Sequence, residues 1–234
     1  MPDDRYGSLA PMGSETRGCG PLIPPQSELP RPLKLQIFER VRAAGLMPRV
    51  QVAKELSVSP ATVTTVTSEL IEGGLLEELT TQRESDGARG RPAVALGVRA
   101  AAGLVAGIKL SDREHTAVIV DFAGNLVSDV AIRRNPGAME LQSLTEATET
   151  LLGRVCVKAG IDKSQLSAVG IGVPGFVDTV SGIAHWSPIL NTRLAPLGAA
   201  MGERLGLPVH IDNDANLVTL AELWFGAGRE RSDF

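Results

Sequence analysis

The short hydroxyl side chains of Thr62, Thr64, Thr65 and Ser68 fall in the stretch from Pro60 to Ile71, which contains neither Lys nor Arg. Small hydroxyls at helical spacing can approach a surface closely and meet base edges and phosphates, chemistry that suits the major groove of a duplex. Each discriminates less than a bidentate Arg on guanine or Gln on adenine. Ser59, just ahead of them, joins the set. Phosphate neutralisation must then come from neighbours: Arg49 and Lys54 before the stretch, Arg83, Arg89 and Arg91 after it. Arg89-Gly90-Arg91-Pro92 puts two cations beside a stiff bend, which suits a backbone or minor-groove contact with a steep salt dependence. The same residues also suit a protein–protein module with a solvated face. The tetrapeptide becomes informative only through its place after a helix-turn-helix.

A second group lies further along. Asp212-Asn213-Asp214 stands where a strand pattern changes to a helical one, so the positive end of the helix dipole would favour an ionised Asp214. By residue chemistry alone, Asp214 caps that helix and Gly175 turns the chain after Pro174. His115, His185 and His210 are widely spaced and have no cysteine neighbours, which points to core or surface histidines and not to a metal set. Cys19 and Cys156 are too few for a disulfide framework and are expected to be reduced thiols. No cofactor is expected.

These residues need elements to position them. Leu33, Ile37, Val41 and Ala44 share one face of a helix ending at Gly45. Pro48 opens a second helix with Val52, Ala53 and Leu56 on one side. Ser59 as N-cap and Pro60 at the first helical position start a third, through Val63, Val66, Leu70 and Ile71, which stops at Gly73-Gly74. Strands Leu75–Leu79 and Ala93–Val98 with a polar tip at Glu84–Arg91 add a hairpin, so residues 31–98 are expected to form a winged helix. Residues 1–30 hold six prolines and four glycines and are expected to be a flexible arm.

From residue 100 onward the pattern alternates. Strands are expected at Gly103–Leu110, His115–Asp121, Leu126–Ile132, Ala168–Val173 and Val209–Asp212. Helices are expected at Met139–Ala159, Leu197–Leu205 and about Asp214–Phe225. An antiparallel meander followed by β-α-β gives a mixed sheet with helices packed on it.

Composition limits the function classes. With 43% apolar and 21% charged residues and no apolar run near the ~20 a membrane helix needs, a spanning protein is excluded. The acidic, Gly- and Pro-containing start is not a secretory signal, so the chain is expected in the cytoplasm. Residues 31–99 carry ten Lys or Arg against eight Asp or Glu, inside a chain of net charge -4. A case for DNA must therefore rest on where the charges lie.

Leu33 to Val98, with Ser57-Val58-Ser59-Pro60-Ala61-Thr62-Val63 entering the third helix, Gly74-Leu75-Leu76 leaving it and Gly90-Arg91-Pro92 in the wing, resembles the winged helix of ROK-family transcriptional regulators. Gly170-Ile171-Gly172-Val173-Pro174-Gly175-Phe176-Val177-Asp178, Gly182 and Asp212-Asn213-Asp214-Ala215-Asn216 resemble the sugar-site motifs of ROK repressors and sugar kinases. The resemblance implies an α/β architecture: a winged helix-turn-helix first, then part of an actin-like ATPase (RNase H-like) fold over 100–234. It implies that Asp214 matches the kinase base, Asn213 a sugar-hydroxyl ligand and Gly175 a loop glycine beside the ring.

Three departures weigh against a kinase. The family's Asp-x-Gly-Gly-Thr phosphate motif falls on Lys109-Leu110-Ser111-Asp112-Arg113, with a lysine for the carboxylate and both glycines replaced. The second phosphate loop, zinc cluster and remaining lobe that follow in relatives lie beyond Trp224–Arg229 and are not among these 234 residues. Ile189 stands where a sugar-contacting Asn belongs, and Asn191 comes two residues later. The expectation is a DNA-binding regulator, a repressor of sugar-metabolism genes, homodimeric on double-stranded DNA and responsive to a sugar effector. It is not expected to be an enzyme. The alternatives are a ROK sugar kinase, or a remnant exposing Leu220, Leu223, Trp224 and Phe225.

Overall fold

The computed structural model describes residues 18–23, 31–81 and 93–231. Its first elements are helices α1 (Leu33–Ala44), α2 (Arg49–Leu56) and α3 (Pro60–Glu72), with strands β1 (Leu46–Met47), β2 (Leu76–Thr81) and β3 (Ala93–Val98). The strands form an antiparallel sheet in the order β1-β3-β2. Ile37 and Val41 of α1, Val52 of α2, Val63 and Leu70 of α3 and Leu76 and Leu96 of the sheet make one buried core. The three- and four-residue apolar spacing thus turns one face of each helix inward and leaves the polar faces outside. Ser59 caps α3: its Oγ accepts from Thr62 N at 3.1 Å.

The larger part is a five-stranded mixed sheet in the order β10-β7-β4-β5-β6. It comprises β4 (Leu104–Lys109), β5 (Glu114–Asp121), β6 (Leu126–Arg133), β7 (Leu166–Val173) and β10 (Val209–Asn213). β7 runs parallel to both β4 and β10, while β4, β5 and β6 form an antiparallel meander. Helices α4 (Leu141–Ala159) and α5 (Leu197–Leu205) bring Leu144, Leu151, Leu152, Met201 and Leu205 against Ile119, Val169 and Ile171 in a second buried core. A short hairpin, β8 (Phe176–Asp178) with β9 (Ile183–Trp186), follows β7.

Helix α6 (Asp214–Phe225) leaves β10 directly, and Leu217 Cδ1 takes the space a Cβ on Gly172 would need, at 2.6 Å. Leu220 and Phe225 of α6 are exposed, as the remnant alternative anticipates. Leu223 and Trp224 differ from that expectation because they are partly covered: Arg42 of α1 lies over the Trp224 ring, 4.2 Å from its centroid.

The cover continues into residues 1–30, the stretch expected to be a flexible arm. Within it Gly18–Ile23 runs as a strap between α1 and the end of α6, and the other residues of that stretch lie outside the described ones. Cys19 is buried and its N–H donates to Arg42 O (3.0 Å), Gly20 N–H to Trp224 O (2.8 Å) and Leu22 N–H to Arg229 O (2.8 Å). The N–H groups of Cys19, Gly20 and Leu22 are spent on α1, α6 and Arg229 just beyond it, so the strap's order follows from bonding to both parts of the chain. No helix of the described residues is long and apolar enough to cross a membrane.

Candidate functional site

The polar face of α3 is where its spacing predicts. Ser59, Thr62, Thr64 and Thr65 are exposed and Ser68 is half-buried, while Val63 and Leu70 face the core. Thr64 Oγ1 donates to Pro60 O (2.9 Å) and Thr65 Oγ1 to Ala61 O (3.2 Å). Their hydroxyl protons are therefore engaged along the helix, and the outward offer is acceptor lone pairs and methyl groups. That set matches exocyclic amino donors and thymine methyls.

Arg49 has partners within the chain. Its Nε donates to Thr67 Oγ1 at 2.9 Å and its Nη1 pairs with Glu78 at 2.6 Å, so the half-buried guanidinium bridges α3 and β2. Lys54 remains exposed on α2. Arg83, Arg89 and Arg91 lie outside the described residues; the strands flanking them pair through Thr81 and Ala93.

The second group converges at the adjoining ends of β7 and β10, where Asn213 is in register with Val173. Gly175 has φ +117°, and a Cβ there would sit 2.2 Å from Trp186 O. Only glycine fits that combination of a left-handed backbone and close approach. Asn213 Nδ2 donates to Gly175 O at 2.5 Å, and its Oδ1 accepts from Ala215 N (2.8 Å) and Asn216 N (3.3 Å). Asn213 is thus the cap of α6, the role that residue chemistry had given to Asp214, and it ties the two loops together. Its carboxamide keeps one N–H for a ligand. Asp214 sits half-buried in the first turn and makes no side-chain hydrogen bond among the described residues, so its carboxylate is available.

Ile189 is fully buried, and Asn191 turns its Nδ2 to Glu140 Oε1. Neither completes a polar ring around the Gly175 turn. Lys109 is in register with Gly172, which puts the β4–β5 connection beside the same strand ends. That connection is bonded to itself and its neighbours. Ser111 N–H donates to His115 Nδ1 (3.2 Å), Ser111 Oγ to Glu114 O (2.5 Å) and Gly137 N–H to Asp112 Oδ1 (2.8 Å). His115 lies in the core, and burial, with Arg134 adding to it, lowers its pKa to about 4; the ring is neutral and can accept that bond. Among the described residues no three His, Cys, Asp or Glu side chains are grouped to hold a metal ion.

Sequence reasoning missed the clamp between the two parts. Arg229 Nε donates to Gly20 O at 2.9 Å and its Nη2 to Ala43 O, joining α6's end to the strap and α1. A signal was present in Gly18-Cys19-Gly20: a Cβ on Gly18 would meet Arg42 O at 2.2 Å, so the chain passes too close to α1 for any side chain.

Comparisons with known proteins agree with this architecture. The chain is 28% identical over 200 residues to the xylose repressor of Caldicellulosiruptor bescii, covering 86% of this chain and 49% of that protein. It is 27% identical over 198 residues to the DNA-binding transcriptional repressor Mlc of Escherichia coli (strain K12), covering 84% and 48%. A solved ROK family transcriptional regulator, a homolog of the E. coli MLC protein, superposes with TM-score 0.62 at 25% identity over 81% of this chain and 47% of that one. The chain spans about half the length of these relatives. The ROK family profile matches residues 105–234, more than half of the sequence, and the chain therefore belongs to the ROK family.

Proposed function

We propose that this chain is a cytoplasmic, sequence-specific DNA-binding regulator, a repressor of sugar-metabolism genes, whose residues 31–98 form a winged helix. The observation that carries the reading is the exposed hydroxyl face of α3 on a three-helix, three-strand module joined to a ROK domain. Ser59, Thr62, Thr64, Thr65 and Ser68 read the major groove, and Arg89 and Arg91 hold the backbone or minor groove. A homodimer engages two half-sites, and a sugar at Gly175, Asn213 and Asp214 modulates it. The names of the two curated relatives, both repressors, support the reading.

Phosphoryl transfer is not part of this reading. A loop that is to cradle phosphate needs free backbone N–H groups, whereas Ser111 N–H is spent on His115 and Lys109 brings a cation in place of a carboxylate. Asp214 would be a base without a phosphoryl donor.

The test is selection of duplexes from a random library by the purified chain, followed by mobility shift. One enriched sequence should emerge, and Arg89→Ala with Arg91→Ala should lose preference for it. Failure to enrich any sequence, or ATP-dependent glucose phosphorylation abolished by Asp214→Asn, would overturn the proposal.

A further inference from the structure

Arg49 is at the first position of α2, where an arginine would ordinarily be assigned to a DNA phosphate. Its geometry assigns a different task. Nε donates to Thr67 Oγ1, and that fully buried hydroxyl donates in turn to Thr64 O at 3.2 Å, inside the turn that carries the outward hydroxyls of α3. Nη1 pairs with Glu78 of β2. One guanidinium thus spans α2, α3 and the sheet. It does so at the edge of the core, where Arg49, Ser68, Ile71, Leu76 and Glu78 line an open surface groove.

We infer that Arg49 is a positioning residue for DNA reading, a polar bolt through Thr67 and Glu78 that sets the angle at which α3 presents Thr62, Thr64, Thr65 and Ser68, and that it contacts no phosphate. The inference rests on the DNA-binding reading above. A planar fork can donate to a hydroxyl and a carboxylate at once, which an ammonium cannot do with the same geometry. Bonded to buried Thr67 on one side and neutralised by Glu78 on the other, the guanidinium releases no counterion when a duplex docks. Loss of the bolt would therefore cost base discrimination and leave general duplex attraction intact.

The experiment uses the full chain and a duplex enriched by the wild-type protein from a random library, with unselected duplex as the second probe. Affinity is measured from low to high salt for the wild type, Arg49→Met, Thr67→Val, Thr67→Ser and Glu78→Gln. The selected duplex should bind about ten-fold more weakly to R49M and T67V, the order expected for losing a hydrogen bond to a charged donor. T67S should restore wild-type binding. The slope of log affinity against log salt should be the same for the wild type, R49M, T67V and T67S, which should bind unselected duplex equally, and steeper only for E78Q, where the guanidinium loses its counter-charge. A phosphate contact by Arg49 would lower the slope by about 0.9 in R49M, with T67V binding like the wild type, and would overturn the assignment. Should R49M fail to fold, as judged by thermal unfolding, T67V against T67S decides the matter. A wild-type chain that enriches no duplex removes the DNA reading itself, and the assignment with it.

Discussion

Replacing Arg229 with alanine should detach the helical module from the mixed sheet. Arg229 makes two charge-assisted hydrogen bonds, to Gly20 O at 2.9 Å and to Ala43 O, and its own carbonyl accepts from Leu22 N–H. Hydrogen bonds to charged groups contribute ~1.5–3 kcal/mol each, and Arg229 is half-buried, so water can reach part of what is left unpaired. The expected cost is about 2–4 kcal/mol. For a chain of this size that lowers the thermal midpoint by about 5–15 °C. Because the bonds lie at the joint and not in either core, the single transition should also broaden or split as the 33–98 module melts on its own. Differential scanning calorimetry reads both effects. Arg229→Lys should not rescue, since a point charge cannot meet two carbonyls as a fork does. Deleting residues 1–23 should reproduce the split, because it removes Gly20 O and the strap's own donors. A midpoint within about 1 °C of wild type for R229A would refute the assignment of the joint to this residue.

Other outcomes follow from single sites. Ser59→Ala removes the α3 cap and should cost about 1 kcal/mol in urea unfolding, with Ser59→Asp restoring most of it. Gly175→Ala forces a side chain onto φ +117° and into Trp186 O, so at least about 1–3 kcal/mol of strain should appear as a lower urea midpoint; a wild-type midpoint would contradict the described turn. His115 titrates near 4 when folded but near 6.5 when unfolded, so the unfolded chain binds more protons between those values. Stability should therefore be full above pH 6.5 and fall by about 3 kcal/mol as pH drops towards 4. Urea midpoints for wild type and His115→Leu at pH 7 and pH 5 check this, and an equal drop in both would exclude His115 as the source.

Much of the local structure was legible because its causes are local. Ser59-Pro60 marks the start of α3 by a cap and a missing donor that both act within one turn, and Gly45 and Gly73 mark helix ends. β3, α5 and α6 occupy the segments their spacing predicts, Ala93–Val98, Leu197–Leu205 and Asp214–Phe225. The Gly175 turn was legible as a turn, but not the carbonyl of Trp186 that makes glycine obligatory there. Two-residue β1 carries no period at all, and exists only because Leu46 and Met47 meet Gly97 and Leu96 across the sheet.

The sequence by itself determined which face of each helix is apolar, where α3, α5 and α6 begin, and which glycines and hydroxyls stand beside which turns. These depend on neighbours within a few residues. Tertiary structure alone decided that Arg49 bridges Thr67 and Glu78, that Asn213 spends its carboxamide on Gly175 and a helix cap, that Ile189 is buried, and that Gly18–Ile23 becomes a strap. Arg229 finds its acceptors 209 and 186 positions away in the chain. No short-range pattern encodes such a partner; it is supplied by strand order and by the path of α6 back to α1.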